Sequence, residues 1–240
     1  MDSRLVSRLR QLAVRLFPGQ DPKGQHGVLP PLLIALTFVT GAVDAVSFLG
    51  LDHVFVANMT GNVVLLGFAL AGDRELSATA SALAAASFVC GAVIGGRFVA
   101  HRFNEPMRLF TTLVAAHAVL VGGAIGAVLA QLPRSAVIVL LAVGMGLQNA
   151  VVRRLAVPDL TTTVLTMTLT GLAADRPGPA SVRRLAAVVA MFAGALVGGL
   201  LQLHHGSTAA LVLALALLAA VAGASAASHP PGPAPHTAHG

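Results

Sequence analysis

The chain has no tryptophan, no tyrosine and one cysteine, and only 10% of its 240 residues are charged. Each scarcity excludes something. A soluble domain carries about 25% charged residues, so a water-exposed globule is excluded. The lone Cys90 cannot build an internal disulfide framework. Set in an apolar run, it reads as a small buried hydrophobe. Without Trp or Tyr there is no interfacial aromatic belt, so basic residues must anchor the chain. Lys and Arg number 15 against 9 Asp and Glu. No nucleic-acid-binding motif accompanies that excess, which is therefore read as a topology signal.

Hydrophobic residues make up 56% of the chain. Apolar segments lie at about 31–50, 54–72, 78–99, 109–130, 136–156, 160–174, 181–203 and 207–227. Most are long enough to cross a hydrocarbon core of roughly 30 Å as helices. A β-barrel is excluded, because its strands would be about ten residues long and alternate apolar with polar. The expected class is an all-α polytopic membrane protein of the cell membrane, with the lipid bilayer as its first partner.

Four regions are expected. Residues 1–28 hold a basic amphipathic helix, "SRLVSRLRQLAVRLF" at 3–17, and a linker; such a helix lies on an anionic leaflet. Residues 29–131 and 132–227 form two membrane repeats. Residues 228–240, rich in Pro, Gly and His, form a disordered tail. The tail histidines read as adventitious metal ligands, and no cofactor or functional metal is expected.

The repeat rests on three matches in chain order. "GAVDAV" at 41–46 aligns with "GLQNAV" at 146–151, so Asp44 falls on Asn149. Thr60 falls on Thr166. "CGAVIGG" at 90–96 aligns with "AGALVGG" at 193–199. The offsets, 105, 106 and 103, imply a duplicated unit of about 105 residues. If every apolar segment crosses, there are eight spans and the copies are parallel. If 54–72 and 160–174 are re-entrant or broken helices, there are six spans and the copies are inverted. Both arrangements occur in transporters. Cytoplasmic loops carry the excess of Arg and Lys. Eight spans put ten basic residues inside and five outside; six spans put thirteen inside and leave only Arg74 and Arg134 outside. Six spans, with both termini cytoplasmic, is the preferred expectation.

Polar residues inside apolar runs are the candidate site. "FVANMTGNVVLL" at 55–66 places Asn58, Thr60 and Asn62 around Gly61. A re-entrant segment exposes backbone groups that survive only in a cavity or buried in protein. Gly61 would permit the turn. The amides and hydroxyl would satisfy freed backbone groups and face a solute. The second copy offers Thr161, Thr162, Thr163, Thr166, Thr168 and Thr170. Ser, Thr and Asn also bond across helices simply as glue, and the sequence leaves these two roles open.

Asp44 lies inside the first span. A charged Asp at the bilayer centre costs roughly 2.5–3.5 kcal/mol on insertion scales. It is expected to hold a coupling proton or cation, or to pair with a polar neighbour. Its mate Asn149, beside Gln148, would face it near mid-membrane. His117, in the fourth span, is a packing residue or a proton-relay partner of Asp44. Gly91, Gly95 and Gly96 repeat as Gly194, Gly198 and Gly199 with small-xxx-small spacing, which lets helix backbones approach closely. Gly122, Gly123 and Gly126 read the same way.

"FVTGAVDAVSFLGLDHVFVANMTGNVVLLG", "GLQNAVVRRL" and "TTTVLTMTLTGL" together resemble the YoaK-type family of uncharacterised bacterial inner-membrane proteins. The resemblance covers about residues 31 to 225. It implies a six-span integral membrane protein and, in some descriptions, transport of small hydrophobic molecules. Gly41, Asp44, Ser47, Asn58, Thr60, Gly61 and Asn62 match the first motif. Gln148, Asn149, Thr162, Thr163 and Thr166 match the second. Met167 stands where the family repeats glycine, which puts a tight turn there in doubt.

Three functions compete. A transporter or channel for a small solute accords with the duplication and the intramembrane acid. A structural or accessory membrane protein accords with the basic amino-terminal helix, and homo-oligomerisation stays open. An intramembrane enzyme would need a nucleophile motif, a metal cluster or paired aspartates, and the sequence offers none of these. The expected cavity has no fixed positive charge, which disfavours strongly anionic solutes and leaves lipophilic, neutral and cationic ones open.

Overall fold

Proline and glycine punctuate a chain that otherwise has every reason to be helical. The structure, a computed structural model, describes residues 28–99, 102–103, 105–157, 162 and 165–228, with Ser7, Arg8 and Gln11. Most of the expected helix over 3–17, the tail beyond 228, Thr161 and Thr163 lie outside the described residues. No strand occurs among the described residues.

Helix α1 spans Leu29–Gly50, with Pro30 and Pro31 in the first turn, where a missing N–H costs nothing. Helix α2 spans Met59–Leu70 and is capped by Asn58, whose side chain accepts from Gly61 N. Helix α3 spans Ala78–Val93, capped by the Ser77 hydroxyl, and continues as a π-helical turn over Ile94–Val99. Helix α4 spans Pro106–Leu129 and α5 spans Arg134–Leu155, ended by Ala156 in the left-handed region at φ 47°. Helix α6 spans Leu165–Ala174. The last, α7, spans Pro179–Ala227 but is broken at Gly206, at φ 79° and ψ 175°, into arms over 179–205 and 207–227. Among the described residues, five helices are long and apolar enough to cross a membrane: α1, α3 with its π turn, α4, α5 and α7. The twelve residues of α2 and ten of α6 extend only about 18 and 15 Å, roughly half a hydrocarbon core.

Close glycine contacts fix how the helices run. A Cβ added at Gly194 would meet Phe38 O at 2.0 Å, and one at Gly198 would meet Ala42. Numbers rise together, so α1 and the first arm of α7 are parallel. A Cβ added at Gly91 would meet Val143 O and one at Gly95 would meet Leu147, so α3 and α5 are parallel too. Arg134 Nη1 and Asp52 Oδ1, 2.7 Å apart, bring the start of α5 to the end of α1. Thr111 Oγ1 donates to Ser225 Oγ at 2.9 Å, bringing the start of α4 to the end of α7. Thus α1, α4 and the first arm of α7 run one way; α3, α5 and the second arm run the other. Asp52, His53, Arg74, Glu75, Arg134 and Gln202 share a pocket at one end of the bundle, the Asp52 end. The opposite end carries Arg97, where α3 finishes.

The core is built from the facing sides of α1, α4, α5 and the second arm of α7, with Leu33, Leu36, Val43, Phe110, Ile138, Leu141, Met145, Leu211 and Leu218 fully buried. The outer surface keeps large apolar side chains exposed, Phe68, Leu70, Val119 and Phe192 among them. Such a surface suits lipid rather than water.

Two expectations are corrected. Cys90 is exposed, because the helical turn that points Gly91 at α5 turns its neighbour outward. Gly122 and Gly126 have nothing within 4 Å of an added Cβ, and Gly123 meets only Leu140 at ordinary distance, so this stripe makes no close backbone approach to another helix among the described residues. Gly96 and Gly199 likewise make only ordinary contacts, leaving Gly91, Gly95, Gly194 and Gly198 as the close-packed positions.

Candidate functional site

After α1 the chain reverses at Asp52 and His53, both left-handed at φ 58° and 54°. The Phe48 and Phe55 rings stack across the reversal at 4.9 Å. The returning segment is then held by side chains. Asp44 Oδ1 accepts from Val56 N at 3.0 Å and from Ala57 N at 2.8 Å. Asn62 Oδ1 accepts from Phe55 N at 2.9 Å, while its Nδ2 donates to Phe55 O at 2.5 Å. An extended backbone in an apolar setting must find partners for its N–H and C=O groups, and Asp44 and Asn62 supply them. Gly61 is required because a Cβ there would lie 2.7 Å from the Phe55 ring. Ser47 is buried and donates to its own helix at Asp44 O.

Asp44 lies six residues from the end of α1, and Asn149 six from the end of α5, each about 9 Å along its helix. Because those ends are at opposite ends of the bundle, the two residues approach from opposite sides. They line one cavity of 780 Å³ with Asn58, Thr60, Gly61 and Thr166. Its apolar wall includes Phe55, Met59, Phe88, Leu165 and Met191. Asn58 and Thr60 are exposed, whereas Asn62 is 1% exposed. The expected polar set therefore divides: Asn62 braces the turn, and Asn58 and Thr60 face open space. Gly41 also touches the cavity, with its Cβ position 2.3 Å from Met191 O.

His117 and Gln148 belong elsewhere. Gln148 Oε1 accepts from His117 Nδ1 at 3.0 Å, and Gln148 Nε2 donates to Thr40 Oγ1 at 3.1 Å. All three are buried, tying α4, α5 and α1 together. Since the amide nitrogen serves Thr40, the proton of this bond sits on Nδ1. Of the two roles open to His117, packing is the one the geometry assembles; Asp44 meets Val56 and Ala57 rather than His117. Thr162 is buried, and its hydroxyl has no partner among the described residues. Sequence reasoning missed Thr40, whose placement one helical turn before Asp44 was its only signal. It also missed Phe88 and Met191, which look like ordinary apolar residues. No group of three or more His, Cys, Asp or Glu gathers among the described residues.

The family described as "Protein of unknown function (DUF1275)" matches residues 32–224, most of the chain. The chain belongs to the DUF1275 family. The UPF0700 transmembrane protein YoaK of Bacillus subtilis (strain 168) is 34% identical over 150 residues, covering 61% of this chain and 67% of the relative. No solved structure matches the chain. A transmembrane relative and five crossing-length apolar helices make this DUF1275 chain a multi-pass helical membrane protein. The resemblance to YoaK drawn from the TG-x-x-DA and TGN motifs thus identifies its family correctly. The matched region contains every cavity residue of this DUF1275 protein.

Proposed function

We propose that this protein is a membrane transporter or channel for a small solute, with its site between two inverted halves. The observation that carries this reading is the cavity where exposed Asn58 and Thr60 meet Asp44, Asn149 and Thr166. Hydrocarbon cannot solvate exposed amides and hydroxyls; irregular backbone at that depth is tolerated beside a water-filled cavity.

The glycine contacts support the duplication. Gly194 against Phe38 is matched by Gly91 against Val143, and Phe38 and Val143 are 105 positions apart. Gly198 against Ala42 is matched by Gly95 against Leu147, again 105 apart. Gly41 against Met191 is matched by Gly146 against Phe88. Each half's first helix thus packs on the other half's third. In this reading α2 dips in from the Asp52 end and α6 from the Arg97 end, their amino ends meeting at the cavity as discontinuous helices do in transporters. The two arms of α7 each cross, giving six spans, and the Arg-rich Arg97 end is cytoplasmic. Eight crossings would require the half-length α2 and α6 to span the core.

The experiment is solute flux in proteoliposomes, read with thiol labelling of cysteines placed at 58, 60 and 166. The expected result is flux above that of empty liposomes and labelling by a water-soluble reagent. Cysteines sealed from water, together with no flux, would contradict the proposal and favour an accessory role. The reading treats the chain as a conduit, not a catalyst.

A further inference from the structure

We infer that the cavity selects an organic monovalent cation, a protonated amine on a small apolar body, held at the free oxygen of Asp44. This inference rests on the transport reading above and narrows it to one solute class.

Asp44 is the only ionisable side chain among the described lining residues, which include no Lys, Arg or His. Its two oxygens are used differently. Oδ1 is fixed by the N–H groups of Val56 and Ala57, which orients the carboxyl group. Oδ2 takes no hydrogen bond among the described residues and is left for a donor. An ammonium carries three donors and no acceptor. The Thr60 and Thr166 hydroxyls, which line the same space, can accept the others.

The wall suits the rest of such a solute. Phe55 and Phe88 contribute aromatic rings to the lining, and aromatic rings attract cations. Met59, Met191, Val64 and Leu65 complete an adaptable apolar lining. At 780 Å³ the space lies within the range of small-molecule pockets.

Helix amino ends attract anions, so their pull must be weighed. A helix end is equivalent to about half a positive charge. At α2 that end is already occupied: Asp44 takes two N–H groups just before it, and Asn58 Oδ1 takes Gly61 N at 3.2 Å. The carboxylate form of Asp44 outweighs what remains there. A carboxylate-bearing solute would be repelled by it, and a neutral one would leave its charge unmatched.

The test uses the full-length protein in nanodiscs at neutral pH, titrated with three probes of matched size: 2-phenylethylamine, 2-phenylethanol and 3-phenylpropanoate. The amine should bind at least about tenfold more tightly than the other two, the least that one charge-assisted hydrogen bond supplies. Asp44→Asn keeps an acceptor for Val56 and Ala57 while removing the charge. That variant should lose the amine preference. Its melting temperature reports folding separately, and the wild-type probe ranking needs no variant at all. Tighter binding of the propanoate, equal binding of the three, or no binding of any overturns the inference. So does a preference that survives in Asp44→Asn. Flux of the alcohol or propanoate in proteoliposomes without amine preference would overturn the cation assignment while transport stands. No flux of any probe, with cysteines at 58 and 60 sealed from water, would overturn both.

Discussion

Asn62 and Asn58 stand four residues apart in one apolar run, yet they do different work. Asn62 is the brace: both ends of its amide bond the Phe55 backbone. Asn62→Ala leaves a buried N–H and C=O without partners, at about 1–3 kcal/mol each, and should lower unfolding stability in detergent by an amount of that order. A wild-type denaturation curve would contradict the bracing role. Close approach gives a second contrast. Gly91→Ala puts a methyl against Val143 O and should cost about 1–3 kcal/mol. Gly126→Ala meets nothing and should be neutral or slightly stabilising, because alanine is the better helix former. The sequence identified these residues but not their partners. Nothing in "FVANMTGNVVLL" distinguishes an asparagine that serves Phe55 from one that faces a cavity; the turn at Asp52 and His53 decides it. His117 was left between two roles for the same reason: its type does not tell packing from a relay with Asp44, whereas the fold gives His117 to Gln148.

The helical elements were legible because apolar length is a strong signal: each of the eight apolar segments corresponds to α1 to α6 or to one arm of α7. The starts at Pro106 and Pro179 fall two or three residues before the apolar segments at 109 and 181, because a proline in the first turn starts a helix that hydropathy does not register. The π turn after Val93 was not legible, since hydropathy does not report a change in helical period. Gly206 shows what a single residue does at this scale. Its backbone, at φ 79° and ψ 175°, is open to glycine and strained for any other residue. Gly206→Ala should therefore destabilise the protein by about 1–3 kcal/mol although its Cβ would have open space. Thermal unfolding of Gly206→Ala beside Gly126→Ala separates backbone strain from crowding; equal midpoints would contradict the break.

In the whole molecule the claim is one of direction. The proposed repeat pairs residues about 105 positions apart, and the arginine count favours inverted halves. It could not supply the exchange of helices, α1 onto α7 and α3 onto α5, because that depends on backbone approach at Gly41, Gly91, Gly146 and Gly194. If that reading holds, the loop bearing Arg74 and the turn bearing Arg134 share one membrane face, and Arg97 and Arg153 lie on the other. The decisive measurement is labelling of single cysteines at 74, 134, 97 and 153, in a Cys90→Ser background, with a membrane-impermeant reagent. Positions 74 and 134 should react from the extracytoplasmic face, and 97 and 153 only after the cytoplasmic face is opened. Labelling of 74 and 97 from the same face would make α2 an ordinary crossing and remove the cavity between the halves.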